Sequence, residues 1–307
     1  MEAHHVPVVL YLFALIAVII FIYNLRKFLA IRIGKSNPAD KIKIIPAIWN
    51  LIYFGILQRR VFRKSFSYAS IMHFLIAFGF FILLFATTVD FFVARGWFEN
   101  YLPHLDTPWF AFLNDTGGMM ALIGILMALY RRHVNKPKSL PQDAFKGRGN
   151  LLGDSGILLY ILLLIIGGFL SEAARLAIDS PSAAQYSWVG YSLSYLFNSA
   201  VWTSAEPFLW WSHALLSLLI IAFIPSTKLF HAIASTINIT LTNRDLRGKI
   251  KPMFVSKLME DPDMDVDEIS LGTNKLEDFT RKQLLDSMAC TECGRCTDVC
   301  PANIAGM

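Results

Sequence analysis

Five long apolar runs, separated by polar segments, dominate the hydropathy pattern of this 307-residue chain. They cover residues 8–23, 67–93, 117–130, 157–177 and 208–232, and the third has room to begin earlier. A helix that crosses a bilayer needs roughly 18 or more apolar residues, and several windows in these runs exceed that length. We therefore predict an all-α membrane protein built as a five transmembrane helix bundle.

A shorter apolar stretch, residues 44–57, is too short to span a bilayer. It lies within residues 24–66, which carry ten Lys or Arg. A short apolar helix among basic residues is typical of a segment that lies in the membrane interface. We predict an interfacial helix there.

Basic residues alternate between the loops. Loop 131–152 carries six Lys or Arg, whereas loop 94–116 carries only Arg95 and loop 178–205 carries none. No Lys or Arg precedes the first run and two follow it directly, which indicates a retained anchor and not a signal peptide. The positive-inside rule then places the N-terminus outside and the C-terminus in the cytoplasm, for a protein of the cytoplasmic (inner) membrane.

Composition supports a membrane protein over a nucleic-acid-binding one. The chain is 55% hydrophobic, its mean hydropathy is +0.48, and its formal net charge is +5. The basic residues collect in loops between apolar runs, as topology requires, so the positive charge does not indicate a nucleic-acid partner. The expected surroundings are membrane lipid.

All four cysteines lie in one compact run, Cys290, Cys293, Cys296 and Cys300, which Pro301 follows. This CxxCxxCxxxCP spacing is that of bacterial ferredoxins. A disulfide scaffold would spread its cysteines along the chain, and zinc sites usually pair two separated CxxC units. The run therefore predicts a [4Fe–4S] cluster in a reducing compartment.

The sequence stops seven residues after the last cysteine, although the fourth cysteine of two-cluster ferredoxins serves the other cluster. We expect either a truncated sequence or a separate polypeptide that completes the module. The predicted organisation is a five-helix membrane domain at 1–245, a cytoplasmic linker at 246–279, and the start of an incomplete, α-helical ferredoxin-like domain at 280–307. Thr280 and Gln283 predict a capping box that opens a short helix before the cysteines.

Three histidines are candidate haem ligands. His213 and His231 are 18 residues apart in the last run, so on one continuous helix they share a face and stand roughly 27 Å apart. His73 lies near the start of the second run, at the depth of His231. A haem b iron in a bundle needs imidazoles from two helices, and an ionisable residue inside a span defaults to a functional role. We predict His73 and His231 as haem b ligands; the alternative for His73 is a hydrogen bond between helices.

The second run offers no histidine at the depth of His213. Either a loop histidine, His4, His5 or His104, completes a second haem, or His213 donates to a quinone carbonyl or a carboxylate. Both interpretations stay open. His133, beside two arginines, is predicted to be a solvated loop residue.

Residues 225–231, PSTKLFH, with His213 five turns earlier, resemble the last span of the gamma subunit of respiratory nitrate reductase, a five-helix dihaem cytochrome b. The resemblance implies that His73 and His231 hold the inner haem. Leu83 stands where that family has its outer ligand in the second span, so the resemblance leaves His213 without its usual partner.

Such a membrane domain followed by DFTRKQLLDSMACTECGRCTDVCPA resembles the membrane-bound iron–sulfur oxidoreductases related to heterodisulfide reductase. One branch is proposed to link electron-transfer flavoprotein to menaquinone, and members continue into a second cluster motif and CCG domains. The resemblance implies electron transfer between a cytoplasmic iron–sulfur or flavoprotein partner and the quinone pool, through haem b and a [4Fe–4S] cluster. The alternative is a membrane anchor or docking subunit whose haem and cluster are mainly structural, with catalysis in partner subunits.

A quinone reaction needs titratable groups near the quinone oxygens. Glu172 and Arg175 lie one turn apart near the outer end of the fourth run, where they either serve a quinone or pair with each other. Asp90, Asp115 and Glu206 are further candidates on the outer side, but we favour their interpretation as ordinary interface residues.

Overall fold

The computed structural model of the chain describes residues 8–36, 43–62, 67–98, 100–140, 152–243, 273 and 275–306. Within these residues the regular structure is helical, apart from one isolated bridge between Lys35 and Thr280. The chain divides into two compact units. The first unit comprises residues 1–24, 60–228 and 292–307, and the second comprises residues 25–59 and 229–291.

The α-helices of the described residues are, in chain order, α1 (Val8–Leu25), α2 (Ile44–Asn50), α3 (Ser67–Val93), α4 (Pro108–Tyr130), α5 (Gly153–Asp179), α6 (Trp188–Ser194), α7 (Ser199–Phe223), α8 (Phe230–Thr240), α9 (Arg281–Met288), α10 (Arg295–Asp298) and α11 (Pro301–Ile304). Five of them, α1, α3, α4, α5 and α7, are long and apolar enough to cross a membrane. The predicted all-α fold with five such helices is confirmed. The α3 bounds match the prediction, and α4 begins earlier than residue 117, at Pro108.

The start of the last span differs from the prediction. The apolar run at 208–232 was expected to be one helix, whereas α7 already begins at Ser199. Asn198 caps this end, because its side-chain oxygen accepts the backbone N–H of Val201 at 3.0 Å. The cap satisfies one of the N–H groups that the first helical turn leaves unpaired.

The end of the last span also differs. After α7 a 3₁₀ turn covers Ile224–Ser226, and Thr227 is extended, with φ −122° and ψ 172°. Pro225 lacks the N–H that a continuing helix needs, which favours an end to α7 at this point. His213 and His231 therefore lie on two different helices, and the prediction that they share one face of a continuous helix is wrong.

Small residues bring α3 and α4 of the first unit together. A Cβ at Gly79 would lie 2.6 Å from both the backbone N of Ala121 and the carbonyl O of Gly117. A Cβ at Gly117 would lie 2.5 Å from Cγ2 of Ile82. Glycine at these two places permits the close helix contact that membrane bundles commonly use.

Replacing Gly79 with alanine is expected to destabilise the chain by about 1–3 kcal/mol, because the new methyl meets backbone atoms that have no rotamer to yield. Thermal unfolding of the detergent-solubilised protein measures the loss. Gly167→Ala is the matched control, since its nearest outside neighbour, His213 Nδ1, would lie at an ordinary 3.6 Å. Equal unfolding midpoints for the two variants would contradict the close α3–α4 contact.

The second unit packs α8 against α2 and α9. Asn50 is 1% exposed, and its side-chain amide donates to the Thr242 carbonyl at 2.9 Å. The predicted capping box is confirmed: Gln283 N–H donates to the Thr280 hydroxyl at 3.2 Å, and Thr280 N–H donates to the Gln283 side chain at 2.8 Å. The helix that leads to the cysteines thus has a fixed start.

The predicted helix at 44–57 is also present, as α2 continued by a π-helical segment at Leu51–Ile56. Ile44, Ile45 and Trp49 expose their apolar side chains. An uncovered apolar face of this kind suits the interfacial position that stays a prediction. Most of the predicted linker at 246–279, and also His4 and His5, lie outside the described residues.

Candidate functional site

Two left-handed residues turn the chain around Cys293. Glu292 has φ 53° and Gly294 has φ 79°, a region that non-glycine residues rarely adopt. Cys296 lies on α10, and Cys300 immediately precedes α11, whose first residue is a proline. The run therefore consists of tight turns and single helical turns, which present successive cysteines over a short distance.

None of the four cysteines forms a disulfide, and only Cys300 is partly buried. Cys290 belongs to the second unit, and the other three belong to the first. In the part of the chain that the structure describes, no three His, Cys, Asp or Glu side chains converge as a group that could hold a metal ion. The fit to a [4Fe–4S] cluster therefore rests on the donor set, four thiols at ferredoxin spacing, and on the turns that carry them.

Ion pairs connect the start of the cysteine run to the ends of three spanning helices. Glu292 Oε2 lies 3.0 Å from Lys228 Nζ, Lys228 also pairs with Asp154, and Asp154 Oδ2 lies 2.7 Å from Arg132 Nη2. The side chains of Asp154, Arg132 and Lys228 are only 9%, 13% and 15% exposed. We call these four residues the ion-pair chain, and the end of the first unit where they lie the cysteine-side end.

Two further contacts hold the cysteine run at this end. A Cβ at Gly294 would lie 2.7 Å from the Ser139 carbonyl, so only glycine allows this approach. Arg295 Nη2 donates to the Ser70 hydroxyl at 3.3 Å, and that buried hydroxyl donates to the Val61 carbonyl at 2.6 Å. Ser70 precedes His73 by three residues on α3, so the Arg295 side chain contacts α3 about one helical turn from that histidine.

The candidate haem ligands occupy separate parts of the structure. His73 lies on α3 in the first unit, and His231 is the second residue of α8 in the second unit. Their pairing stays a prediction. His133 is exposed, as predicted, but it also lies within hydrogen-bond distance of the buried Ser155 hydroxyl, at 3.0 Å from its Nε2.

His213 projects from α7 onto the two glycines of α5. Its Cε1 would lie 3.2 Å from a Cβ at Gly168, and its Nδ1 would lie 3.6 Å from a Cβ at Gly167. That Nδ1 is buried and makes no hydrogen bond. An imidazole nitrogen in this state has capacity left for a metal ion or a hydrogen-bonding ligand, which is compatible with either interpretation of His213.

The opposite, distal end of the first unit is organised around Asp115. This residue is 1% exposed, and its Oδ2 accepts the N–H groups of Val189 at 2.6 Å and of Gly190 at 3.2 Å. The interpretation of Asp115 as an ordinary interface residue is therefore wrong. Its carboxylate is buried because it satisfies the first N–H groups of α6.

Glu172 and Arg175, one turn apart on α5, have different partners. Glu172 Oε1 accepts the Ser187 hydroxyl at 2.9 Å, and Arg175 Nη1 donates to Asp106 Oδ1 at 2.9 Å. The sequence left open that Glu172 and Arg175 pair with each other, and the structure shows no such pair. Both remain candidates for the quinone side.

Sequence reasoning missed Asp154 and Glu292 altogether. Asp154 is an acidic residue in the first turn of α5, directly after the basic loop 131–152. The sequence did contain a signal for Asp154: it is a carboxylate at the border between a basic loop and an apolar run. A carboxylate that is buried at such a border requires a cationic partner.

Comparison with known proteins adds to this geometry. Residues 284–305 match the family model described as a 4Fe-4S binding domain. The chain is 29% identical over 315 residues to the EtfAB:quinone oxidoreductase of Syntrophomonas wolfei, covering 97% of this chain and 41% of that protein. It is 29% identical over 297 residues to the probable iron-sulfur-binding oxidoreductase FadF of Bacillus subtilis, covering 94% of this chain and 39% of that protein.

A third relative is the probable membrane-anchored ferredoxin of Chromohalobacter salexigens, 52% identical over 44 residues, which are 14% of this chain and 7% of that protein. The chain thus spans about two fifths of the length of the first two relatives. No solved structure matches the chain. With the five apolar helices, these similarities support a membrane protein of the iron–sulfur oxidoreductase type.

Proposed function

We propose that the chain is the membrane electron-transfer part of an iron–sulfur quinone oxidoreductase. Cys290, Cys293, Cys296 and Cys300 hold a [4Fe–4S] cluster. His73 and His231 hold haem b. Electrons pass between a cytoplasmic partner, an electron-transfer flavoprotein or an iron–sulfur protein with CCG domains, and menaquinone or another quinone of the inner membrane.

The attachment of the cysteine run to the cysteine-side end carries this proposal. Glu292, Gly294 and Arg295 contact Lys228, Ser139 and Ser70, so the chain's own side chains hold the run against the spanning helices. Arg132, at the start of the basic loop 131–152, lies at this end, and the positive-inside rule therefore favours a cytoplasmic location for it. A cluster in the run would supply one-electron chemistry at the border of the helices, one of which, α3, carries His73.

The distal end supplies the groups for the quinone side. Glu172 and Arg175 lie near the distal end of α5, and His213, with its buried Nδ1, lies near the middle of α7 against Gly167 and Gly168 of α5. A quinone exchanges protons as well as electrons, and a carboxyl or an imidazole near its oxygens can take or give them. The relative named as an EtfAB:quinone oxidoreductase supports a quinone as the membrane substrate.

The test uses the purified chain in detergent and measures haem and cluster separately. A pyridine haemochrome assay gives the haem-to-protein ratio, and electron paramagnetic resonance of the dithionite-reduced sample gives the cluster. We expect about one haem and one [4Fe–4S] cluster per chain, both reduced by an added quinol. A ratio of about two would mean that His213 is also a ligand.

Two other results would change the proposal. Haem that is present but not reduced by quinol would favour the anchor and docking subunit over an electron-transfer subunit. A sample with no haem would overturn the assignment of His73 and His231.

A further inference from the structure

A pair of carboxyl groups at the distal end has a hydrogen-bond arrangement that needs an extra proton. Asp115 Oδ2 accepts two backbone N–H groups. Asp115 Oδ1 is also buried, but no N–H or hydroxyl group of the described residues donates a hydrogen bond to it. Glu172 lies beside the same helix start: a Cβ at Gly190, whose N–H Asp115 Oδ2 accepts, would lie 3.0 Å from Glu172 Oε2, and the two carboxyl groups are within reach of one another. Ionised carboxylates only accept hydrogen bonds, so a hydrogen bond between the two groups forms only when one of them carries a proton.

The surrounding donors decide which group carries it. Two backbone N–H groups stabilise the charged form of Asp115, whereas Glu172 accepts only the Ser187 hydroxyl. The Glu172 carboxyl also lies against Gly190, where a Cβ would come within 3.0 Å of Oε2. The consistent arrangement is a neutral Glu172 that donates its O–H to Asp115 Oδ1 and accepts the Ser187 hydroxyl.

Other charged groups face the pair from its neighbouring elements. Arg175 lies one turn further along α5 and acts on Glu172 electrostatically, but its hydrogen bond goes to Asp106. Asp90 of α3 and His104 of the adjoining loop lie around that ion pair. Because the nearby cation has its own carboxylate, it does not replace the proton between Asp115 and Glu172.

We propose that Asp115 and Glu172 form a proton-holding pair, with Glu172 neutral and Asp115 ionised, which exchanges its single proton with water at the distal end. The water for this exchange is assigned to a cavity that borders the same helix. A cavity of about 400 Å³ lies beside the next turn of α5, where Leu176 lines it together with Tyr191 and Ser194 of α6. The pair thereby gives the spanning helices a carboxyl that can give up or take one proton on this side.

Infrared spectroscopy of the full chain in lipid nanodiscs tests the pair directly. The wild-type spectrum is expected to contain a protonated-carboxyl C=O band that shifts in D₂O and is absent from Glu172→Gln. The matched control is Asp179→Asn, which removes an exposed carboxyl from the same helix and should keep the band. A band that persists unchanged in Glu172→Gln, or that fails to shift in D₂O, would overturn the proposal.

Thermal unfolding supplies a second measurement. Gln keeps both hydrogen bonds of a neutral glutamic acid, so Glu172→Gln should lie within about 2 °C of the wild-type midpoint. Glu172→Ala leaves Asp115 Oδ1 without a donor and should lower the midpoint by about 4 °C or more. Equal losses in the two variants would mean that Glu172 is anionic. Neither measurement involves a quinone, so a failed quinol assay would leave this inference standing.

Discussion

Asp154→Ala is expected to destabilise the protein by about 3 kcal/mol or more, because it removes the buried carboxylate that two largely buried cations share. Asp154 serves two cations, Arg132 at 2.7 Å and Lys228, and both side chains are largely buried. In the variant these two positive groups have lost their shared carboxylate. Thermal unfolding of the detergent-solubilised chain measures the loss.

Two controls separate this effect from the removal of any surface charge. Lys35→Ala breaks the Lys35–Asp278 pair, in which the lysine side chain is 63% exposed, and should change stability by no more than about 1 kcal/mol. Glu292→Gln removes only the more exposed end of the ion-pair chain and should also leave the midpoint nearly unchanged. If Asp154→Ala behaved like these controls, the ion-pair chain would not hold the cysteine-side end together.

The apolar runs predicted the number and type of the spanning helices because each run must supply about 20 apolar residues to cross a bilayer. The first and last residues of the last spanning helix were harder to predict. Glu206 and Pro207 lie within α7 and interrupt its apolar pattern, so the run was given a later start. Pro225 lies inside the same apolar run, but the helix ends just before it because proline lacks the backbone N–H that a helix needs. The hydropathy pattern does not show this missing N–H, so the run was expected to continue as a helix.

The candidate site was predictable only where its chemistry is local in sequence. The spacing of the cysteines predicts the iron–sulfur run. Two residues three positions apart, Thr280 and Gln283, predict the capping box before it. The ion-pair chain joins positions 132, 154, 228 and 292, and the Asp115–Glu172 contact joins α4 to α5. Such partners are brought together by helix packing, which a single sequence does not encode as a pattern, so acidic residues of this kind were interpreted as ordinary or overlooked.

His73→Ala is expected to abolish binding of the haem assigned to His73 and His231, while the [4Fe–4S] signal remains. The proposal gives this haem two imidazole ligands, and loss of one leaves its iron without a protein group on one side. His73 lies on α3 one turn from Ser70, whereas the cysteines lie on a separate stretch of chain, so the cluster ligands are untouched. Haemochrome assay and electron paramagnetic resonance on one sample measure both groups.

His133→Ala is the matched control, because His133 is another histidine of the cysteine-side end and is exposed to solvent. It should keep the wild-type haem content. His231→Ala should lose the same haem as His73→Ala, since both residues are assigned to one iron. A full haem complement in His73→Ala would show that the iron has other ligands, and the electron path would then have to pass through His213. The two histidine variants thus distinguish a haem held by His73 and His231 from one held by His213.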